Sequence, residues 1–231
     1  MTIRYGSHTI NKQDIKSIER VLRKNFLTQG PQVKKFENKL IEKFGAKYCS
    51  VVSSGTAALH LAVMSLSLPE KSKIITTPLT FVATSNSIIM NGHKPELVDI
   101  DSNSYTIDLN KLEYKLKKDK KIKAIIAVDY AGNICDWESL NFLKKKYNIK
   151  LLNDNCHAIG TKYKGSTKYA CKFADIVTQS YHPVKAITTA EGGSILTNNK
   201  EIFEKVNLLK NHGINRDKNL TNKIGTWFYE I

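Results

Sequence analysis

The sequence predicts an α/β fold built on a largely parallel sheet with helices on its faces. Short β-branched runs alternate with stretches of helical periodicity, and the connections between them are short. With 231 residues and 41 % hydrophobic residues, the chain can bury a sizeable core.

The elements follow in order. Residues 11–44 read as two helices split by LTQGP at 27–31. Residues 45–231 carry the α/β core, which lacks an evident finish at its end. KYCSVVSS (47–54) reads as a strand and GTAALHLAVMSL (55–66) as the helix after it. KIITTP (73–78) is followed by the helical FVATSNSIIMNG (81–92) and then by KPELVDID (94–101). KAIIAVDY (123–130) precedes the helical WESLNFLKKKYN (137–148), and IKLLNDN (149–155) follows. ADIVTQSY (174–181) and GGSILTNN (192–199) lie too close for a helical crossover, which makes them adjacent strands with Lys185 in the turn between them.

Composition excludes several classes. No apolar run approaches the length that spans a bilayer. The start, MTIRYGSHTINKQD, lacks a signal-peptide pattern, so a cytoplasmic protein is expected. Cys49, Cys135, Cys156 and Cys171 are far apart and form no C-x-x-C pair, which points to free, mostly buried thiols rather than disulfides or a metal site. The formal charge of +15 invites a nucleic-acid reading. The excess is almost all lysine, with few arginines, spread over faces such as KKDKKIK (117–123) and KKKYNIK (144–150), and reads as solvated surface.

Conventional nucleotide motifs fail. GTKYKGST (160–167) resembles a phosphate loop, but its lysine precedes the second glycine, and no G-x-G-x-x-G follows a strand. SSGTAALHLA offers another route: Ser54, Gly55 and Thr56 sit where a strand ends and a helix begins, and free N–H groups there can cradle a phosphate. A plain capped turn is the alternative. In NDNCHAIG, Asp154 ends an apolar strand, where α/β sheets collect ligands, and an acid there can pair with a protonated ring nitrogen; a turn aspartate is the other reading. His157 follows three residues later, and Phe81 opens a helix where its ring could stack on a heteroaromatic cofactor. Lys185, in SYHPVKAITTAEGG, links these pieces. A lysine with an acid, an aromatic plate and a phosphate cradle is what pyridoxal 5'-phosphate (PLP) requires: the amine forms a Schiff base, and the acid keeps the ring able to accept carbanion charge. Thr188, Thr189, Gly192 and Gly193 are expected to leave room for cofactor and substrate.

At these residues the sequence resembles the DegT/DnrJ/EryC1/StrS sugar aminotransferases, which are fold-type I PLP enzymes. SSGTAALHLA, TTPLTFVATSN, VDYAGN, DNCHAIG, SYHPVKAITTAEGG and NHGI stand in that family's order, and the likeness covers essentially the whole chain. LTQGP and PVKAITTAEGG narrow it to the group acting on UDP-linked 4-keto-6-deoxy-N-acetylhexosamines in pseudaminic acid biosynthesis. The resemblance implies that Lys185 is the Schiff-base lysine, Asp154 the partner of the pyridine nitrogen, Phe81 the stacking ring and His157 its neighbour. Gly55, Thr56 and Ser180 would hold the phosphate, while Tyr5, Thr28, Gln29 and Gly30 would line the sugar-nucleotide pocket. It implies L-glutamate as amino donor, the UDP-4-keto-6-deoxy sugar as acceptor at C4, and a homodimer.

Three features depart from the family pattern. Asn153 stands where an acid is commoner, and Tyr181 where phenylalanine is. Family members also continue with an N-Y-R-like segment and a small C-terminal domain, so the apolar end NKIGTWFYEI (222–231) suggests a truncated chain. A non-catalytic PLP-binding remnant is therefore the alternative expectation.

Overall fold

The computed structural model describes residue 6 and residues 8–213; Tyr5 and the stretch 222–231 lie outside the described residues. The chain begins with α1 (Lys12–Leu22) and α2 (Pro31–Phe44), then β1 (Tyr48–Val52), α3 (Gly55–Ser65), β2 (Lys73–Thr76), α4 (Ala83–Met90) and β3 (Lys94–Leu97). Next come α5 (Leu109–Lys118), β4 (Ile122–Val128), α6 (Trp137–Tyr147), β5 (Lys150–Asp154) and α7 (Tyr169–Phe173). The described part ends with β6 (Ile176–Ser180), β7 (Gly193–Thr197) and α8 (Lys200–Lys210).

The strands form one seven-stranded sheet in the order β1-β7-β6-β5-β4-β2-β3. Only β7 runs antiparallel to its neighbours, pairing Ser180 with Gly193 on one side and Val52 with Gly193 on the other. The expected mixed, mostly parallel sheet is present, and Lys185 lies in the connection between β6 and β7.

Strand periodicity explains why the central strands carry apolar residues at both parities. Ile74, Leu152, Ile176 and Ile195 pack with Ala58, Leu59, Ala62 and Val63 of α3, Ile88 of α4, and Ile202 and Val206 of α8. The alternate residues Ile75, Leu151, Val177 and Leu196 face the other way, onto residues from α2, α5, α6 and α7, where Trp137 is fully buried. Both faces are covered, so each strand needs apolar side chains on both sides. The same alternation sends Asp154 and Ser180 to the α3 face, because they share parity with Leu152 and Ile176.

Some expectations change. Phe81 does not open α4; the helix starts at Ala83, and Phe81 lies in the turn ahead of it, accepting a hydrogen bond from the Thr84 amide (3.0 Å). The run 117–123 is not one helix face: α5 stops at Lys118, and a turn at 119–121 leads into β4. The near-phosphate-loop becomes a tight hairpin, with Tyr163 and Ser166 exchanging backbone hydrogen bonds (3.0 Å each) across Lys164 and Gly165, both at positive φ. All four cysteines are free; three are buried and Cys156 is half-buried. Among the described residues, no helix is long and apolar enough to cross a membrane, and no cluster of metal-ligand type is present.

Candidate active site

Strands β1, β4, β5 and β6 are mutually co-directional, and their carboxyl ends, where α/β sheets place ligands, open on one cavity of about 560 Å³. Ser54, Gly55, Thr56, Phe81, Asp154, His157, Ser180 and Lys185 all line it. Residues separated by more than 130 positions thus meet at one wall.

The start of α3 at the cavity is built from local rules. Ser54 is the N-cap of α3, and its hydroxyl oxygen accepts a hydrogen bond from the Ala57 amide at 3.1 Å. The Ser54 carbonyl takes the Ala58 amide. Gly55 and Thr56, in the first turn, keep N–H groups free of intrahelical partners, at the positive end of the helix dipole. The capping reading of Ser54 therefore holds, and the helix N-terminus it caps opens on the cavity. Gly55 is required by proximity: a Cβ there would lie 2.6 Å from Ser180 Cβ, so the end of β6 and the start of α3 touch.

Asp154, at the end of β5, is buried and held from two directions. Its Oδ1 accepts the Cys156 amide (3.2 Å) and its Oδ2 accepts the Thr84 hydroxyl (2.8 Å). His157 Nδ1 accepts the Ala131 amide (3.4 Å), which assigns the proton of the neutral ring to Nε2. Burial first, and then the charge of Lys185, hold this imidazole below the ordinary histidine range, against the pull of Asp154. Tyr130 meets the His157 ring edge-on at 5.8 Å. Phe81 is 64 % exposed at the cavity wall, so its ring is available to a flat ligand.

Lys185 is half-buried, and its amide closes a turn onto the His182 carbonyl (2.9 Å). The loop carrying it is tied at Tyr181, whose carbonyl accepts both the Thr189 amide (3.0 Å) and the Thr188 hydroxyl (2.9 Å), and whose amide donates to the Gly192 carbonyl (2.9 Å). This corrects one expectation. Thr188, Thr189, Gly192 and Gly193 do not line the cavity; they shape and close the loop. A Cβ on Gly193 would fall 2.3 Å from the Ser54 carbonyl oxygen.

Thr28, Gln29 and Gly30 are not among the cavity-lining residues. They lie between α1 and α2, where Gly30 caps α2 and the Gln29 side-chain Nε2 donates to Asn211 Oδ1 at 3.5 Å. Sequence reasoning overlooked Thr80, Tyr130, His182 and Glu191 on the cavity wall, and Thr84 behind it.

The two departures within the described residues share one buried network on the far side of the sheet. Fully buried Asp129 accepts hydrogen bonds from Asn153 (3.0 Å), Asn155 (3.1 Å), Tyr169 (2.8 Å), Trp137 (3.2 Å) and the Cys135 amide (3.0 Å). Asn153 is thus a neutral donor where a second acid would face Asp129. The Tyr181 hydroxyl donates to Gln179 Oε1 (3.0 Å) and meets Ser194 Oγ at 2.6 Å.

Comparison with known proteins agrees with this geometry. Residues 8–228 match the model of the DegT/DnrJ/EryC1/StrS aminotransferase family. The chain is 44 % identical over 213 residues to UDP-4-amino-4,6-dideoxy-N-acetyl-beta-L-altrosamine transaminase of Campylobacter jejuni, covering 92 % of this chain and 56 % of that protein. Among solved structures, Helicobacter pylori PseC, an aminotransferase involved in the biosynthesis of pseudoaminic acid, superposes with a TM-score of 0.89 at 34 % identity, over 99 % of this chain and 59 % of its own. The sugar aminotransferase Spr1654 of Streptococcus pneumoniae, in its PMP form, gives 0.87 at 29 % identity, over 100 % and 62 %. The chain therefore spans little more than half the length of the relatives it matches. By its motifs, its sheet order and this match, the chain belongs to the DegT/DnrJ/EryC1/StrS aminotransferase family.

Proposed function

We propose that this chain binds PLP at the cavity and transfers the amino group of L-glutamate to C4 of a UDP-linked 4-keto-6-deoxy-N-acetylhexosamine of the pseudaminic acid type. The observation that carries the reading is the convergence of Lys185, Asp154, His157, Phe81 and the α3 N-terminus on one cavity. The donor set suits the group: amides at a helix N-terminus and the Ser180 hydroxyl for a phosphate, a carboxylate for a ring N–H, and an amine for an aldehyde. When bound, PLP supplies the electron sink that makes the amino acid's α-proton labile.

The chain's residues then divide the work. Lys185 would hold the aldehyde end of the cofactor through its amine, and its Nζ would be the base that moves the amino acid's α-proton. The Asp154 carboxylate accepts the ring N–H and keeps it protonated. Gly55, Thr56 and Ser180 would hold the phosphate, and the exposed Phe81 ring would be available to stack on the cofactor ring. His157, neutral and donating from Nε2, adds a hydrogen bond without a competing charge. Thr28, Gln29 and Gly30, with Tyr5, serve the nucleotide-sugar side. A cytoplasmic homodimer accompanies this reading, supported by exposed Phe81, Val82, Val184 and Ile187 around the loops at the cavity.

The test is cofactor trapping on the full chain. With PLP bound, a visible band is expected that bleaches on adding L-glutamate, and borohydride reduction should leave the adduct on the peptide carrying Lys185. Lys185→Ala should yield no adduct. An adduct distributed over surface lysines, or none in folded protein, would overturn the reading.

A further inference from the structure

Asp154 can serve a ring nitrogen only if its carboxylate presents the right lone pairs to the cavity, and two contacts decide this. The Cys156 amide occupies Oδ1, and the Thr84 hydroxyl occupies Oδ2 at 2.8 Å. Thr84 is fully buried on the first turn of α4, 70 residues away in sequence. A threonine in a helix ordinarily returns its hydroxyl to a carbonyl one turn earlier. Here it reaches across to the end of β5 instead.

The hydrogen count gives the chain of donors a direction. Thr84 has one hydroxyl proton, and a carboxylate only accepts, so Thr84 donates that proton's hydrogen bond to Asp154 Oδ2. The contact between the Thr80 and Thr84 hydroxyls (2.8 Å) must then run from Thr80 to Thr84. Thr80 is itself one of the residues lining the cavity. Two hydroxyls in series polarise each other and strengthen the final bond to the carboxylate.

Resting on the PLP reading above, we propose that Thr84, backed by Thr80, is the positioning residue for Asp154: its hydroxyl fixes the carboxylate plane so that the remaining lone pairs meet the ring nitrogen. Thr84 touches neither cofactor nor substrate and acts through Asp154 alone.

The experiment compares the full chain with Thr84→Val, Thr84→Ser, Asp154→Ala and the Thr84→Val/Asp154→Ala double variant. Two quantities are read: the PLP dissociation constant from an absorbance titration, and the pH midpoint of the visible band. Valine keeps the shape and removes the hydroxyl, and losing a hydrogen bond to a charged group should weaken PLP binding about tenfold and shift the midpoint. Serine should restore both. In the Asp154→Ala background the valine substitution should change neither, since the residue it positions is gone. PLP binding and a pH midpoint unchanged in Thr84→Val would overturn the proposal. So would an equal loss in both backgrounds, which would make Thr84 a packing residue of α4. Failure of the parent chain itself to form the Lys185 adduct would remove the PLP reading and this proposal together, and is distinguished by arising before any substitution.

Discussion

Lysine is the commonest charged side chain here, yet Lys185 differs from the rest by what its neighbours are. Several other lysines pair with acids at the surface, Lys164 with Glu138 at 2.7 Å and Lys146 with Glu113 at 2.7 Å. Lys185 faces Asp154, His157 and Ser180 across the cavity, with its loop drawn tight by Tyr181. The motif around it was legible because its glycines and threonines leave so few conformations for the chain. Their purpose was not, since room for a ligand and close backbone approach both call for small residues. Gly193 shows the second. Gly193→Ala would drive a methyl to 2.3 Å from the Ser54 carbonyl, which is backbone and cannot swing aside. We expect a loss of about 2 kcal/mol in a denaturant titration, with weaker PLP binding because Ser54 caps the cradle helix.

Among the elements, those with an apolar period were readable and those governed by charge were not. α3 has six buried residues and no charged side chain in its first or last turn, whereas α5 buries only Leu112 and Leu116 within a lysine-rich run. The edge of the sheet depends on such charges. Lys73, opening β2, reaches Glu96 of β3 (2.9 Å) and Asp119 before β4 (2.7 Å), fastening three neighbouring segments. The Lys73 hydrogen bond is the main reason both carboxyls sit below the ordinary carboxylate range. A depressed carboxyl pKa stabilises the fold above the unfolded value, near 4, and that contribution fades as pH falls through the folded value. The parent should therefore lose more thermal stability between pH 7 and pH 3 than Lys73→Met does. Equal losses in the two melting series would show that the clip carries no weight.

On the scale of the whole molecule, stability is concentrated in the sheet. β6 and β7 are buried along their full length, and β4 has buried residues at six of its seven positions. α1 buries none of its eleven residues, and Ile15, Ile18 and Leu22 on it are 56–64 % exposed. Hydrogen exchange should thus release the amides of α1 first and those of β4 to β7 last; protection of α1 comparable with the sheet would contradict this. The sequence by itself determined the alternation of strands and helices and the adjacency of β6 and β7, because periodicity and local backbone demands are written in neighbouring positions, while the residues that gather at the cavity were named through their motifs and the family those motifs resemble. Only the tertiary structure decided which residues support them. The Thr84 hydroxyl on Asp154, the five donors on Asp129 and the contact of Gly193 with Ser54 all join positions far apart in the chain, and hydrogen bonds and close approach depend on distance in space.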